Sequence, residues 1–97
     1  MNKFGQTIRD AREANNLLLR HLASNLDIDT AILSKIERGE RMPKKELVIK
    51  IAATLSLRKE DLITLWLAEK IFDIVEDEQQ AYAAIKVASK EIKDLKK

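Results

Sequence analysis

The sequence has no cysteine, one proline, two glycines and few aromatic residues among its 97 positions. Without cysteine the chain cannot form disulfide bonds or a thiolate metal site. A multi-stranded β fold needs a tight turn about every 8–12 residues, and so few glycine and proline residues argue against one. No apolar run approaches the roughly 18–20 residues of a membrane span, and the first residues lack the apolar stretch of a signal peptide. We therefore expect a cytoplasmic protein that makes no membrane contact.

Residues that carry chemistry are also scarce. The chain contains one histidine, His21, which we expect to be solvated, and no nucleophile and base at a catalytic spacing. The acidic residues between 73 and 78 lack the ligand spacing of a calcium-binding loop. We predict that the protein is not an enzyme, binds no metal and uses no cofactor. Its apolar content of 45% is enough for the core of one small domain.

Charge is unevenly distributed, although the net charge is only +2. Residues 1–58 contain 11 Lys and Arg against 7 Asp and Glu, a balance of +4, whereas residues 59–97 contain 7 against 9, a balance of −2. The basic excess is concentrated over 35–50, which has six basic and three acidic residues. A basic patch indicates a nucleic-acid partner, and the apolar, mildly acidic remainder indicates a second role.

Hydrophobic periodicity predicts an all-α fold of six helices. We expect them near residues 2–15, 19–26, 30–38, 47–55, 59–76 and 77–95. Asn15-Asn16 and Gly39 are typical helix ends, because Asn and Gly tolerate the left-handed conformation. Asp29 is a typical N-cap, and the D-x-x-Q sequence at 77–80 resembles a capping box that starts the last helix.

The helices at 19–26 and 30–38 are joined by a three-residue turn and have apolar inner sides, which is the pattern of a helix-turn-helix. The sequence LASNLDID at 22–29 is followed by LSKIERG at 33–39 and by Pro43. These residues resemble the Xre-type, phage-repressor/Cro-like helix-turn-helix family. The resemblance runs from about Phe4 to Ile63.

The resemblance implies a five-helix phage-repressor-like DNA-binding domain, here followed by an additional C-terminal helix. We expect this domain to span 1–63, with the helix-turn-helix over 19–38 and the recognition helix over 30–38. Family members place the third helix in the major groove and bind palindromic operators as dimers, with half-sites about 34 Å apart. The C-terminal helices, over 59–97, are continuous with the domain and are expected to mediate dimerisation.

The outward side of the recognition helix supplies the candidates for base reading. Thr30 and Ala31 are small residues that can contact a thymine methyl, and Ser34 lies one turn further along. Lys35 can reach guanine or a phosphate. Asp29 can accept a hydrogen bond from cytosine, but capping is its expected role.

Phosphate contacts are expected from five basic residues: Arg20, Arg38, Arg41, Lys44 and Lys45. The alternative is a solvated basic loop without a partner. Where the family usually has a small N-cap and a phosphate-binding Gln, this chain has Leu18 and Leu19, which leaves Arg20 or His21 for that contact. The resemblance also implies an ion pair between Arg12 and Glu37 that fixes the tilt of the recognition helix.

The predicted helix at 59–76 is apolar over most of its circumference, which is typical of a helix buried on more than one side. We therefore predict a dimer interface made by Leu62, Trp66, Ile71, Phe72, Val75, Tyr82 and Ile85.

The predicted function is that of a sequence-specific transcriptional regulator, such as a repressor, that binds double-stranded DNA as a homodimer. A controller protein of a restriction–modification system has this size and needs only DNA and self-association. The alternative is an antitoxin-type protein that binds a partner toxin through 59–95 and autoregulates its own operon. Repression and activation both remain open at this point.

Overall fold

The computed structural model describes residues 1–96, which form six helices: α1 (Lys3–Ala14), α2 (Leu19–Leu26), α3 (Thr30–Glu37), α4 (Lys45–Thr54), α5 (Lys59–Val75) and α6 (Ala81–Leu95). No strand occurs in this range. The all-α prediction is confirmed, and α2 and α3 begin where the apolar spacing placed them. None of these helices is long and apolar enough to cross a membrane.

Helices α1 to α5 enclose one hydrophobic core. Its members recur at spacings of three and four along each helix, so that each helix buries one side. They are Phe4, Ile8, Leu22, Ala23, Leu26, Leu33, Ile36, Val48, Ile51, Ala52, Leu55, Leu62 and Trp66. Burial of each large apolar side chain contributes about 1.5–3 kcal/mol, and this core therefore holds the first five helices together.

The assignment of Leu62 and Trp66 to a dimer interface was wrong. Their exposed fractions are 1% and 6%, because both lie on the side of α5 that packs into the core of their own chain. Trp66 also donates a hydrogen bond from Nε1 to the backbone oxygen of Pro43 at 2.9 Å. The apolar residues in the first half of α5 thus contribute to the core, and only those in the second half are mostly exposed to solvent.

Four helices end on a residue in the left-handed conformation: Asn16, Asp27, Gly39 and Ser56, with φ of 56°, 57°, 78° and 57°. After α3, the backbone N–H groups of Gly39 and Glu40 donate to the oxygens of Ile36 and Lys35 at 3.1 and 2.8 Å, which is a Schellman motif. The predicted helix ends at Asn15-Asn16 and Gly39 are confirmed. A left-handed residue ends each of these helices sharply and lets the chain turn within a few residues.

The predicted helix starts are less accurate than the ends. Asp29 is the N-cap residue of α3, but its side chain makes no capping hydrogen bond. The predicted start of the last helix at Asp77 was wrong, because α6 begins at Ala81 and its N-cap, Gln80, also makes no side-chain capping bond. Backbone bonds from Glu78 to Val75 and from Ala81 to Glu78 instead form turns between α5 and α6.

The C-terminal part projects from the five-helix body. Beyond Glu69, the side chains of α5 become mostly exposed, and no residue of α6 is buried. The described residues accordingly span 42 × 31 × 20 Å. The apolar side of α6 is therefore largely exposed to solvent.

Candidate nucleic-acid interface

Helices α2 and α3 form the helix-turn-helix, with the turn at 27–29 between them. The left-handed Asp27 reverses the chain, and the Ile28 N–H donates to the oxygen of Ala23 at 3.0 Å. Leu26 of α2 and Leu33 of α3 are both buried in the core. This packing fixes the angle between the helices and turns the opposite side of α3 towards solvent.

The outward side of α3 is small and polar at its beginning. Thr30 and Ala31, in the first turn, are exposed, as is Lys35, whereas Ser34 is half-buried. Because side chains three and four apart lie on one side of a helix, these four residues form one continuous strip. The structure thus brings together all four residues predicted to read bases.

Arg38 follows this strip and is already engaged within the chain. Its Nε donates to Glu40 Oε2 at 2.6 Å, and its Nη2 lies 3.4 Å from Glu40 Oε1. Its Nη1 donates to Ser34 Oγ at 2.7 Å. The hydrogen bond from Arg38 lowers the pKa of the Glu40 carboxyl, and the same bond raises the pKa of Arg38. Glu40, a residue that the sequence pattern did not single out, therefore lies inside the basic surface.

The remaining basic candidates are free of such pairing. Arg20, Arg41, Lys44 and Lys45 are all exposed. None of these four forms an ion pair within residues 1–96. Since the Trp66 indole holds the Pro43 oxygen, the loop that carries Arg41 and Lys44 is attached to α5. An anchored loop with unpaired cations is suited to hold phosphate groups.

An ion pair joins the first helix to the third. Arg12 Nε donates to Glu37 Oε2 at 2.8 Å, and Arg12 Nη2 donates to Glu37 Oε1 at 3.1 Å. Arg12 Nη1 also donates to the backbone oxygen of Leu17 at 2.8 Å. The hydrogen bond to Glu37 raises the pKa of Arg12. Two-point contact of this kind restricts rotation of α3 about its axis.

Helix α1 also approaches the end of α3 very closely at Gly5. A Cβ atom added to Gly5 would lie 2.5 Å from the backbone oxygen of Glu37 and 2.7 Å from that of Ile36. Asn2 strengthens the same junction, because its Nδ2 donates to the Glu37 oxygen at 3.0 Å. Sequence reasoning missed this role of Gly5, although a glycine inside a helix, here in the first turn of α1, is a signal for a close backbone approach.

At the start of α2, where Leu18 and Leu19 depart from the family pattern, His21 and Leu18 lie at the border of the basic surface. His21 is exposed, and its Nδ1 accepts a long hydrogen bond of 3.4 Å from the Leu18 N–H. Leu18 is itself about half exposed, so an apolar residue borders the basic surface. Ile32 packs against the core and lines a groove with Ile28 and Met42, which explains its bulk.

A second surface lies on the C-terminal helices. Of the predicted interface residues, Ile71, Phe72, Tyr82 and Ile85 are exposed and Val75 is half-buried. An open groove between α5 and α6 is lined by Ile71, Ile85, Ala88, Ser89, Ile92, Lys93 and Lys96. The groove is apolar along its length and basic at one end. No cluster of His, Asp or Glu in the described part of the chain could hold a metal ion.

Known proteins share the helix-turn-helix of this chain. The family model HTH_3, described as helix-turn-helix, matches residues 8–62. In Bacillus subtilis, the HTH-type transcriptional regulator RghRB is 41% identical and the HTH-type transcriptional repressor RghR is 34% identical, each over 64 residues. Both matches cover 65% of this chain, and they cover 46% of RghRB and 47% of RghR. The chain therefore spans about half the length of the curated relatives it matches.

Two solved structures have the same fold. The clp gene regulator ClgR from Corynebacterium glutamicum superposes with a TM-score of 0.61 at 19% identity, over 97% of this chain and 86% of ClgR. A chain of the SinR protein/SinI protein complex superposes with a TM-score of 0.58 at 20% identity, over 94% of this chain and 98% of that one. The family match over residues 8–62, more than half of the chain, shows that the chain belongs to the Xre-like helix-turn-helix family, and the two solved structures show the same fold.

Proposed function

We propose that this chain binds double-stranded DNA sequence-specifically, as a homodimer on a palindromic operator, and so represses or activates transcription. The observation that carries the proposal is the strip of Thr30, Ala31, Ser34 and Lys35 at the start of α3, beside an anchored basic loop. A strip of small and polar side chains can enter the major groove without a steric clash.

Affinity in this proposal comes mainly from phosphate contacts. Arg41 and Lys44 lie in the loop after α3, and Arg20 lies at the start of α2, so that exposed basic residues both precede and follow the strip along the chain. If a dimer neutralises about six phosphates, log K should fall with log salt concentration at a slope near −5. The Arg12–Glu37 pair supports the proposal because it fixes the angle at which α3 is presented.

Dimerisation is assigned to the second half of α5 and to α6. Their exposed apolar residues would be buried in a symmetric pair, and the pair would set the distance between two copies of α3. Adjacent major grooves on one side of DNA are about 34 Å apart, which is the spacing that the dimer must match. A restriction–modification controller would need these two surfaces and no others.

A second candidate function is favoured by the same apolar groove. In an antitoxin-type protein, the C-terminal helices would bind a different protein while the first five helices bind the operator. One of the solved structures with this fold is the SinR protein/SinI protein complex, which supports a protein partner as a candidate. The mass of the isolated chain separates the two candidates: a stable dimer supports the first, and a monomer that binds a toxin supports the second.

Selection of bound sequences from random duplex DNA tests the proposal. We expect a palindromic consensus whose two halves lie about one helical turn apart. Recovery of duplexes without any shared sequence would contradict sequence-specific binding. A consensus without two-fold symmetry would contradict the homodimer while leaving DNA binding in place.

A further inference from the structure

Glu40 is an exposed acidic residue between Arg38 and Arg41, two of the basic residues predicted to contact phosphate. It directly follows Gly39, the left-handed residue that ends α3, and the Schellman motif holds its backbone in place. Its carboxylate accepts two hydrogen bonds from the Arg38 guanidinium, at 2.6 and 3.4 Å. The position of this carboxylate is therefore a consequence of how the recognition helix ends.

The guanidinium of Arg38 is hydrogen-bonded within the chain on two of its sides. Nε and Nη2 point to Glu40, and Nη1 points to Ser34 Oγ at 2.7 Å. The edge formed by Nε and Nη2 is the one with which arginine binds a phosphate through two parallel hydrogen bonds. A carboxylate on that edge takes the place that a phosphate would need.

We infer that Glu40 acts as an internal phosphate mimic, which withholds Arg38 from DNA and so limits the affinity of the protein for duplexes. This inference rests on the proposed function. Both side chains are about half exposed, at 53% and 54%, so the pair is open to competition by DNA. The carboxylate acts in two ways: it engages the cation, and its own charge repels nearby phosphates.

Removal of the Glu40 carboxylate should change the salt dependence of DNA binding. Without this carboxylate, each subunit gains one further cation, Arg38, for phosphate contact. Each neutralised phosphate adds about 0.9 to the steepness of the salt dependence. Glu40→Gln should therefore steepen the slope of log K against log salt by about 0.9 per subunit and tighten binding about 3- to 10-fold at low salt.

The test is fluorescence anisotropy of the 97-residue chain with a labelled, random-sequence duplex of about 24 base pairs, between about 50 and 200 mM salt. Glu46→Gln is the matched control. Glu46 is exposed in the first turn of α4 and has no arginine partner, and its substitution changes the net charge by the same amount as Glu40→Gln. We expect Glu40→Gln to bind more tightly with a steeper slope, and Glu46→Gln to gain less affinity and to keep the slope of the original protein.

The variant Arg38→Gln supplies the second comparison. If Glu40 acts through Arg38, the gain from Glu40→Gln should largely disappear in the Arg38→Gln background. Equal gains from Glu40→Gln and Glu46→Gln, or an undiminished gain in that background, would overturn the inference. If the original protein binds the duplex and Glu40→Gln changes neither the affinity nor the salt slope, the inference is overturned while the proposed function stands. If the original protein binds no duplex at all, the proposed function fails, and the inference fails with it.

Discussion

The Glu69 carboxylate caps the first turn of α1, where its Oε1 accepts a hydrogen bond from the backbone N–H of Phe4 at 3.0 Å. The two residues are 65 positions apart in the sequence. The first N–H groups of a helix have no partner within the helix, and a negative charge near them is favourable. Glu69 is 4% exposed, so this contact replaces water inside the fold. The hydrogen bond connects α5 to α1, the helix that holds α3 through the Arg12–Glu37 ion pair.

Substitution of Glu69 should therefore destabilise the domain. For Glu69→Ala we expect a loss of about 1–2 kcal/mol in the free energy of unfolding, as is usual when a helix loses its N-cap acceptor. Glu69→Gln keeps an oxygen at the same position and should lose less. Urea unfolding followed by circular dichroism measures both values. Equal stability of the original protein and Glu69→Ala would show that the cap contributes nothing.

The Arg12–Glu37 pair predicts a different pattern of stability. Arg12→Met leaves the buried Glu37 carboxylate without its charge partner and should cost about 3 kcal/mol. The double variant Arg12→Met/Glu37→Leu removes both charges and should recover part of that loss. The same unfolding experiment applies, with specific DNA binding as a second readout. A double variant as unstable as the sum of the two single variants would contradict coupling between these residues.

Gly5→Ala separates helix propensity from packing. Alanine is favoured over glycine in a helix by about 1 kcal/mol, so propensity alone predicts stabilisation. The added Cβ would meet the Glu37 oxygen at 2.5 Å, and overpacking of this kind costs about 1–3 kcal/mol. We expect net destabilisation, measured as a lower Tm. Ser24→Ala, on the exposed side of α2, is the control and should change stability by less than about 0.5 kcal/mol. A higher Tm for Gly5→Ala would contradict the close approach of α1 and α3.

The two kinds of DNA contact should respond differently to substitution. Lys35→Ala, on the outward strip of α3, should weaken binding to the selected sequence by about 1–3 kcal/mol and weaken binding to random duplexes much less. Lys44→Ala, in the basic loop, should weaken both similarly and lower the salt slope by about 1 per subunit. Titrations on both duplexes at several salt concentrations distinguish the roles. Equal loss on both duplexes for Lys35→Ala would reassign this residue to a phosphate.

The apolar groove between α5 and α6 allows a matched pair of variants. Ile85 lines the groove, whereas Val87 is two positions along the same helix and does not line it. If the groove is the dimer interface, Ile85→Asp should produce monomers that keep the helical content of the original protein, and Val87→Asp should stay dimeric. Trp66→Asp should instead unfold the chain, because Trp66 is a core residue. Light scattering and circular dichroism together report both properties, and a dimeric Ile85→Asp would remove the groove from the interface.

The local features of this fold were predictable from sequence. Leu33 and Ile36 mark the inner side of α3 by their spacing, and the left-handed ends at Asn16 and Gly39 follow from the residue type alone. The contacts between distant segments were not predictable in this way. Nothing in the spacing around Glu69 indicates a bond to Phe4.

The apolar circumference of α5 shows why an interface is harder to predict than a helix. Periodicity identifies which residues avoid water, but it does not say which partner covers each side. Trp66 is covered by the core of its own chain, and Ile71, on the next turn, is exposed. The position of Glu40 beside Arg38 was also not predictable, because it depends on the backbone direction after Gly39 and no sequence motif marks it.

The proposed function requires the outward side of α3 and the basic loop after it to contact duplex DNA. The most direct measurement is a titration of the 15N-labelled chain with a duplex recovered by selection, followed by nuclear magnetic resonance. We expect the backbone signals of Thr30, Ala31, Lys35 and Lys44 to shift most, whereas those in the second half of α6 shift little. Shifts concentrated on α6, with the signals of α3 unchanged, would show that DNA does not bind at α3.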